Sequence, residues 1–265
     1  MLSILVFLLI NFVAMSLSVF LYEKIKNVST GTSEITLKNL VWVFPLPIIG
    51  LVLFHVLQID FLSLFMVAVY VLTMTLFVRA LFPLNKGAII EALCFVVALS
   101  LVALTYIFKS FFYNDFLTLV LSSTVATILA MSMGFKTSMV LLGLLSVYDF
   151  VAVYSGFMPS VIPKTLELAL APIFVVPVEG GLSILGAGDV VFSCFILIEF
   201  WKNKGKRPAL VAFLTLMTAI GLTLLGVMYG LNVAPVIPSI FLASLIAWAL
   251  EKTWLTKKMD KDKKM

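Results

Sequence analysis

From residue 2 to about residue 252 the chain is a succession of apolar runs, each long enough to cross a bilayer or nearly so. A spanning helix needs roughly 20 apolar residues. With 265 residues, 63% hydrophobic and only 12% charged, the chain has room for eight or nine such helices and no sizeable soluble module. Breaks in hydropathy and clusters of Gly, Pro and charge divide it into segments near 2–22, 41–57, 61–80, 88–108, 115–133, 137–157, 181–200, 209–230 and 236–252. The expectation is an all-α membrane protein of nine transmembrane helices forming a single polytopic membrane domain, 1–265. The first segment has no basic leader and no small-residue cleavage site, so it reads as a retained helix.

The basic residues orient the bundle. With nine spans, sixteen of the eighteen Lys and Arg fall on one side, and only Lys109 and Lys164 on the other. Basic loops stay in the cytoplasm, which predicts the N-terminus outside and the C-terminus inside. The net charge of +5 is thus a matter of topology and implies no nucleic-acid partner. The segment after residue 252 reads as a solvated basic tail near anionic headgroups.

Two acids interrupt the apolar runs. Asp149 lies in LLGLLSVYDFVAVYSGF and Asp189 in LSILGAGDVVFSCFILI, and no other acid reads as so deep in a run. A carboxylate at bilayer depth costs a few kcal/mol or more, so it marks a functional site by default. Counting eight residues back from 157 and eight forward from 181, at 1.5 Å per residue, puts both about 12 Å from the outer face. Two carboxyls close together in a low-dielectric site do not both ionise, so the pair holds one proton near neutrality. The ionised member then activates a water while the protonated one bonds a substrate carbonyl, as in aspartic proteases. Gly186 and Gly188 permit close approach of a backbone, whether a neighbouring helix or an extended substrate. Tyr148 either positions a carboxyl or satisfies its own hydroxyl on a backbone group.

Tyr148-Asp149, Gly186-Ala187-Gly188-Asp189 and the proline-rich turn Pro235-Val236-Ile237-Pro238 resemble, in order, the Y-D, G-x-G-D and P-A-L motifs of the presenilin and signal-peptide-peptidase family. The likeness suggests a prokaryotic, archaeal member, and by orientation the signal-peptide-peptidase branch. It implies a presenilin-like nine-helix fold and an intramembrane aspartyl protease acting on transmembrane peptides in the cell membrane. Asp149 and Asp189 would be its dyad, framed by Tyr148, Gly186, Ala187 and Gly188. Residues 1–135 would then be scaffold, 136–252 the catalytic portion and 253–265 the cytoplasmic tail. The third motif departs from the pattern: Val236 replaces the small residue, and Ala187 is smaller than the family's frequent leucine. The resemblance also implies substrate contact at Pro235 to Pro238 and at Val175 and Val176, in an edge that pairs with an unwound peptide as an added strand.

Between the two aspartates, TLELALAPIF suits a short interfacial helix, followed by IFVVPV, whose β-branched residues suit an extended strand, although the residues alone read equally as a hydrophobic loop buried between helices. The remaining ionisable groups read as structural: Glu91 reaching toward Lys86, Glu199 beside Lys202, Asp60 and Asp115 in turns. His55 is the only histidine, which excludes a multi-His metal site, and no metal or cofactor is called for. Cys94 and Cys194 read as packing residues. Two other readings use paired membrane carboxylates. A transporter or proton-coupled channel would place them in a relay, but the chain shows no second pair and no internal symmetry. A prepilin-peptidase-like enzyme would carry its first aspartate early in the chain, whereas here the first is Asp60.

Overall fold

The computed structural model describes residues 2–26, 59–82, 88–108, 110–168, 170–178, 181–229 and 234–262. Among these are nine helices and one hairpin. They run α1 Leu2–Ile25, α2 Ile59–Leu81, α3 Ala88–Phe108, α4 Phe111–Ser132, α5 Phe135–Tyr154 and α6 Phe157–Leu166, then β1 Ile173–Val178 and β2 Gly181–Gly186, then α7 Ala187–Lys204, α8 Lys206–Met228 and α9 Ile237–Asp262. Among the described residues, six stretches are long and apolar enough to cross a membrane: Ser3–Ile25, Phe61–Leu81, Ile89–Phe108, Phe111–Ser132, Phe135–Tyr154 and Lys206–Val227. The expected second segment, 41–57, and His55 lie outside the described residues.

The middle of the bundle is α7. It packs against α1, α4, α5, α8 and α9, and Cys194, Phe195, Ile196, Ile198 and Phe200 are buried almost completely. Protein, not lipid, surrounds this helix, which lets it carry Asp189, Glu199, Lys202 and Lys204 within 18 residues. Its neighbours meet it with polar and small groups. On α4, Ser122, Ser123, Thr124 and Thr127 are all buried. Ser123 Oγ donates to Ala14 O at 3.2 Å and Thr127 Oγ1 to Ser18 O at 3.3 Å, joining α4 to α1. Ser193 Oγ joins α7 to α1 through Asn11 Oδ1 at 3.1 Å. Lipid offers no hydrophobic drive for helix association, so close packing and interhelical hydrogen bonds hold such a bundle.

The all-helical expectation needs correcting at the hairpin. IFVVPV is extended as anticipated, and it pairs antiparallel with GLSILG, in the register Ile173↔Gly186 through Val178↔Gly181. The seventh apolar segment therefore begins as a strand, and its helix starts only at Ala187. The short helix also differs: α6 covers FMPSVIPKTL, upstream of the expected TLELALAPIF. Gly156 explains the early start, since its φ of 78° lets the chain turn sharply out of α5. At the other end of the chain, α9 continues to Asp262, so helix extends well into the basic segment read as a tail.

Several ionisable groups also sit elsewhere than expected. Asp60 lies within α2 and Asp115 within α4, neither in a turn. Glu91 pairs with Arg79 at 3.2 Å, joining the end of α2 to the start of α3; Lys86 is outside the described residues. Glu199 is fully buried and accepts a bond from Asn203 Nδ2 at 2.9 Å. Lys202 instead donates to the carbonyls of Ala130 and Met133, both at 2.9 Å, at the end of α4. Cys94 and Cys194 are free, buried thiols.

Candidate active site

Three helix ends converge on one cavity. Asp149 lies near the end of α5 and is buried. Its Oδ2 accepts the backbone N–H of Ile237 at 3.1 Å, and the N–H of Val236 also donates to it. The first N–H groups of a helix have no intrahelical partner, so a carboxylate from α5 completes the start of α9. Pro238 fits there because the first turn needs no donor from it, while Ile240 N–H closes the turn onto Val236 O at 3.1 Å. One turn before the aspartate, Ser146 Oγ donates to Ile237 O at 3.3 Å, a second tie between α5 and α9.

Asp189 is the third residue of α7. Gly186, the residue that caps the helix, donates its N–H back to this carboxylate, an arrangement familiar from capping boxes. A Cβ at Gly186 would lie 3.3 Å from Asp189 Oδ2, so a side chain there would crowd the folded-back carboxyl. At Gly188 the space differs: a Cβ would meet nothing within 4 Å, and the residue is exposed. The first glycine makes room for the carboxylate and the second keeps the surrounding space open.

Both carboxylates line a single cavity of about 510 Å³, walled by parts of α1, α5, α6, α7, α8 and α9, by β2 and by Ile173 at the start of β1. They are close enough for their charges to interact. The carboxyl of each meets the N-terminal end of a helix, α9 for Asp149 and α7 for Asp189, where exposed N–H groups and the macrodipole favour negative charge. Asp189 does not lie eight residues into a helix that begins at 181, because 181–186 is strand and Asp189 falls in the first turn of α7. The hairpin and the start of α7 bring it to Asp149 instead.

Of the other sequence-predicted residues, Gly186, Gly188, Val236 and Ile237 line the same cavity. Tyr148 does not: it is half-buried on the neighbouring face of α5. Ala187 also faces away, buried against α4, where its carbonyl meets Ser122 Oγ at 3.5 Å and its N–H donates to Pro172 O at 3.0 Å. Pro235 and Pro238 are half-buried in the turn that opens α9.

Val175 and Val176 are buried in β1, where the outward N–H of Val175 donates to Asp115 Oδ1 at 3.0 Å. That edge is occupied. The alternation of an antiparallel ladder then turns the outward backbone groups of Leu182, Ile184 and Gly186 toward the cavity side of β2, and Leu182–Leu185 line the cavity. GLSILG reads equally well as the start of an apolar helix, so β2 leaves no signal of its own in the sequence. Asp115, inside α4, does leave one, since an acid within a span is itself a signal.

Two carboxyls facing one largely apolar cavity inside a bundle of long apolar helices mark the class of membrane-embedded proteins with paired buried acids. The family model described as signal-peptide peptidase, presenilin aspartyl protease matches residues 4–189. Among solved structures, a presenilin family intramembrane aspartate protease in space group C222 superposes with a TM-score of 0.69 at 19% identity, covering 93% of this chain and 99% of that one. The same kind of protease in space group P2 gives 0.67 at 18%, covering 93% and 96%. At these identities the structures speak for the fold. No individually curated protein matches the sequence. The chain belongs to the signal-peptide peptidase, presenilin aspartyl protease family, and it is a multi-pass intramembrane aspartyl protease. A transporter reading is not favoured.

Proposed function

We propose that Asp149 and Asp189 form the catalytic pair and that the substrate is an extended stretch of a transmembrane segment, such as a signal peptide or a single-span protein. The observation that carries this reading is the shared cavity, in which backbone donors meet each carboxyl. The ionised member of the pair takes a proton from water as its oxygen attacks the scissile carbonyl carbon. The protonated member gives its proton to the carbonyl oxygen, and collapse of the tetrahedral intermediate returns a proton to the leaving amine. The two carboxyls act as one titrating unit.

Helical backbone is bonded internally, so a peptide must unwind to be cut. The outward groups of Leu182 and Ile184 beside the dyad suit an unwound peptide joining β2 as a third strand. The turn at Pro235 to Pro238 would border that peptide, with Val236 and Ile237 also holding Asp149. Gly188 would leave it space, and Tyr148 and Ala187 would support the frame from outside the cavity. Residues 1–135 would be scaffold and 136–252 the catalytic portion. The bundle would comprise nine spans in the cell membrane, with its N-terminus outside and the segment 253–265 in the cytoplasm.

The test is cleavage of a labelled single-span peptide by purified protein in detergent. Asp149→Ala and Asp189→Ala should each lower the rate at least about 100-fold while the melting transition persists. Full activity in either variant would contradict the assignment.

A further inference from the structure

The β hairpin has two edges, and only one faces the cavity. The other is closed by side chains from α2 and α4. Asn114, buried on α4, treats β1 and its approach as a neighbouring strand would. Its Nδ2 donates to Ala171 O at 3.1 Å and to Ile173 O at 3.2 Å, and its Oδ1 accepts Ala171 N–H at 3.1 Å. Asp115, the next residue, accepts Val175 N–H at 3.0 Å. Tyr70 from α2, completely buried, donates to the same Ala171 carbonyl at 3.0 Å and shares a 2.7 Å bond with Thr118. The next outward position on β1 is Pro177, which has no N–H to satisfy. Every outward donor of β1 from Val175 onward is therefore bonded or missing. On β2, the backbone N–H groups of Leu182 and Ile184 have no protein partner among the described residues.

We infer that Asp115, together with Asn114, is a positioning residue that seals the outer edge of β1 and holds the hairpin formed before substrate arrives, so that an incoming strand finds only β2. The inference rests on the protease reading of the site. Its physical content is preorganisation. If the binding-competent hairpin were only fractionally populated, apparent affinity would fall by that fraction. An isolated two-stranded hairpin is marginal by itself, and this one has α4 where a third strand would be. Asp115 is assigned no part in the chemistry, so its loss should weaken substrate binding and spare turnover.

Residue-resolved hydrogen exchange on the substrate-free wild-type protein is the first measurement. The Val175 amide should exchange at least about tenfold more slowly than those of Leu182 and Ile184; equal rates would overturn the inference, whatever any variant does. This readout needs no activity, so a protein that showed the pattern but cut no peptide would refute the protease reading and leave the sealed edge standing. The second measurement compares Asp115→Leu, which removes the acceptor, with Asp115→Asn, which keeps an acceptor oxygen. The leucine variant should raise KM about tenfold with kcat within about twofold, and it should speed Val175 exchange. The asparagine variant should stay within about twofold of wild type in both constants. A fall in kcat at unchanged KM, no change in either constant, or equal losses in both variants would overturn the inference.

Discussion

Helices α3 and α7 are both described as helical rods, yet they occupy opposite environments. On α3, Ile89, Leu93, Val96 and Ile107 are more than half exposed, and the buried residues are few, among them Cys94, Ala98 and Val102. On α7, Phe195, Ile196 and Ile198 are completely buried, and so are Ser193 and Glu199. The more uniformly apolar helix lies at the rim and the more polar one at the centre. In a bilayer, apolar side chains gain little by turning inward, because lipid is as apolar as leucine, whereas polar and small groups gain partners only inside. The rule that places oil at the core of a soluble protein is thus relaxed here, and the catalytic candidate Asp189 sits on the helix that protein wraps most fully.

If this contrast is right, substitutions on the two helices should differ sharply. Phe195→Ala on α7 should cost about 3–5 kcal/mol, the usual loss for an aromatic truncated in a closed core, read as a large drop in melting temperature in detergent. Gly188→Ala, beside Asp189, should separate stability from activity. Alanine favours helix over glycine and meets nothing within 4 Å, so the melting point should hold or rise slightly. The added methyl intrudes on the cavity and should lower kcat/KM about tenfold, or about 1.4 kcal/mol. Lys202→Met, which removes the donor to Ala130 O and Met133 O, should cost about 1 kcal/mol, less than a fully buried charged bond because the lysine is partly exposed. Leu93→Ala, on the exposed face of α3, should change stability by under about 0.5 kcal/mol. Equal sensitivity of Leu93 and Phe195 would erase the contrast.

The same physics decides what could be read in the sequence. Among the described residues, the six strongly apolar stretches announce themselves by length. Asp149 and Asp189 stand out because bilayer depth makes an acid costly, and they do line one cavity. The way they meet was not legible. Gly181 to Gly186 is apolar enough to pass for the start of a helix, and only its pairing with β1 makes it a strand. Asp115 read as a turn residue because Ser110 to Asn114 is polar and aromatic; tertiary contact with Val175 shows its place. The proline turn before α9 was visible, but not that Asp149 would bind the first N–H groups of that helix. Local pattern carries the spans, while partners distant in sequence build the site.

In the proposed mechanism Asp149 and Asp189 act as one unit, and a double-mutant cycle on peptide cleavage probes that coupling. Groups that share one chemical step are grossly non-additive. Asp149→Ala, Asp189→Ala and the double variant should all fall to the same residual rate. A double variant whose loss is the product of the two single losses would contradict it.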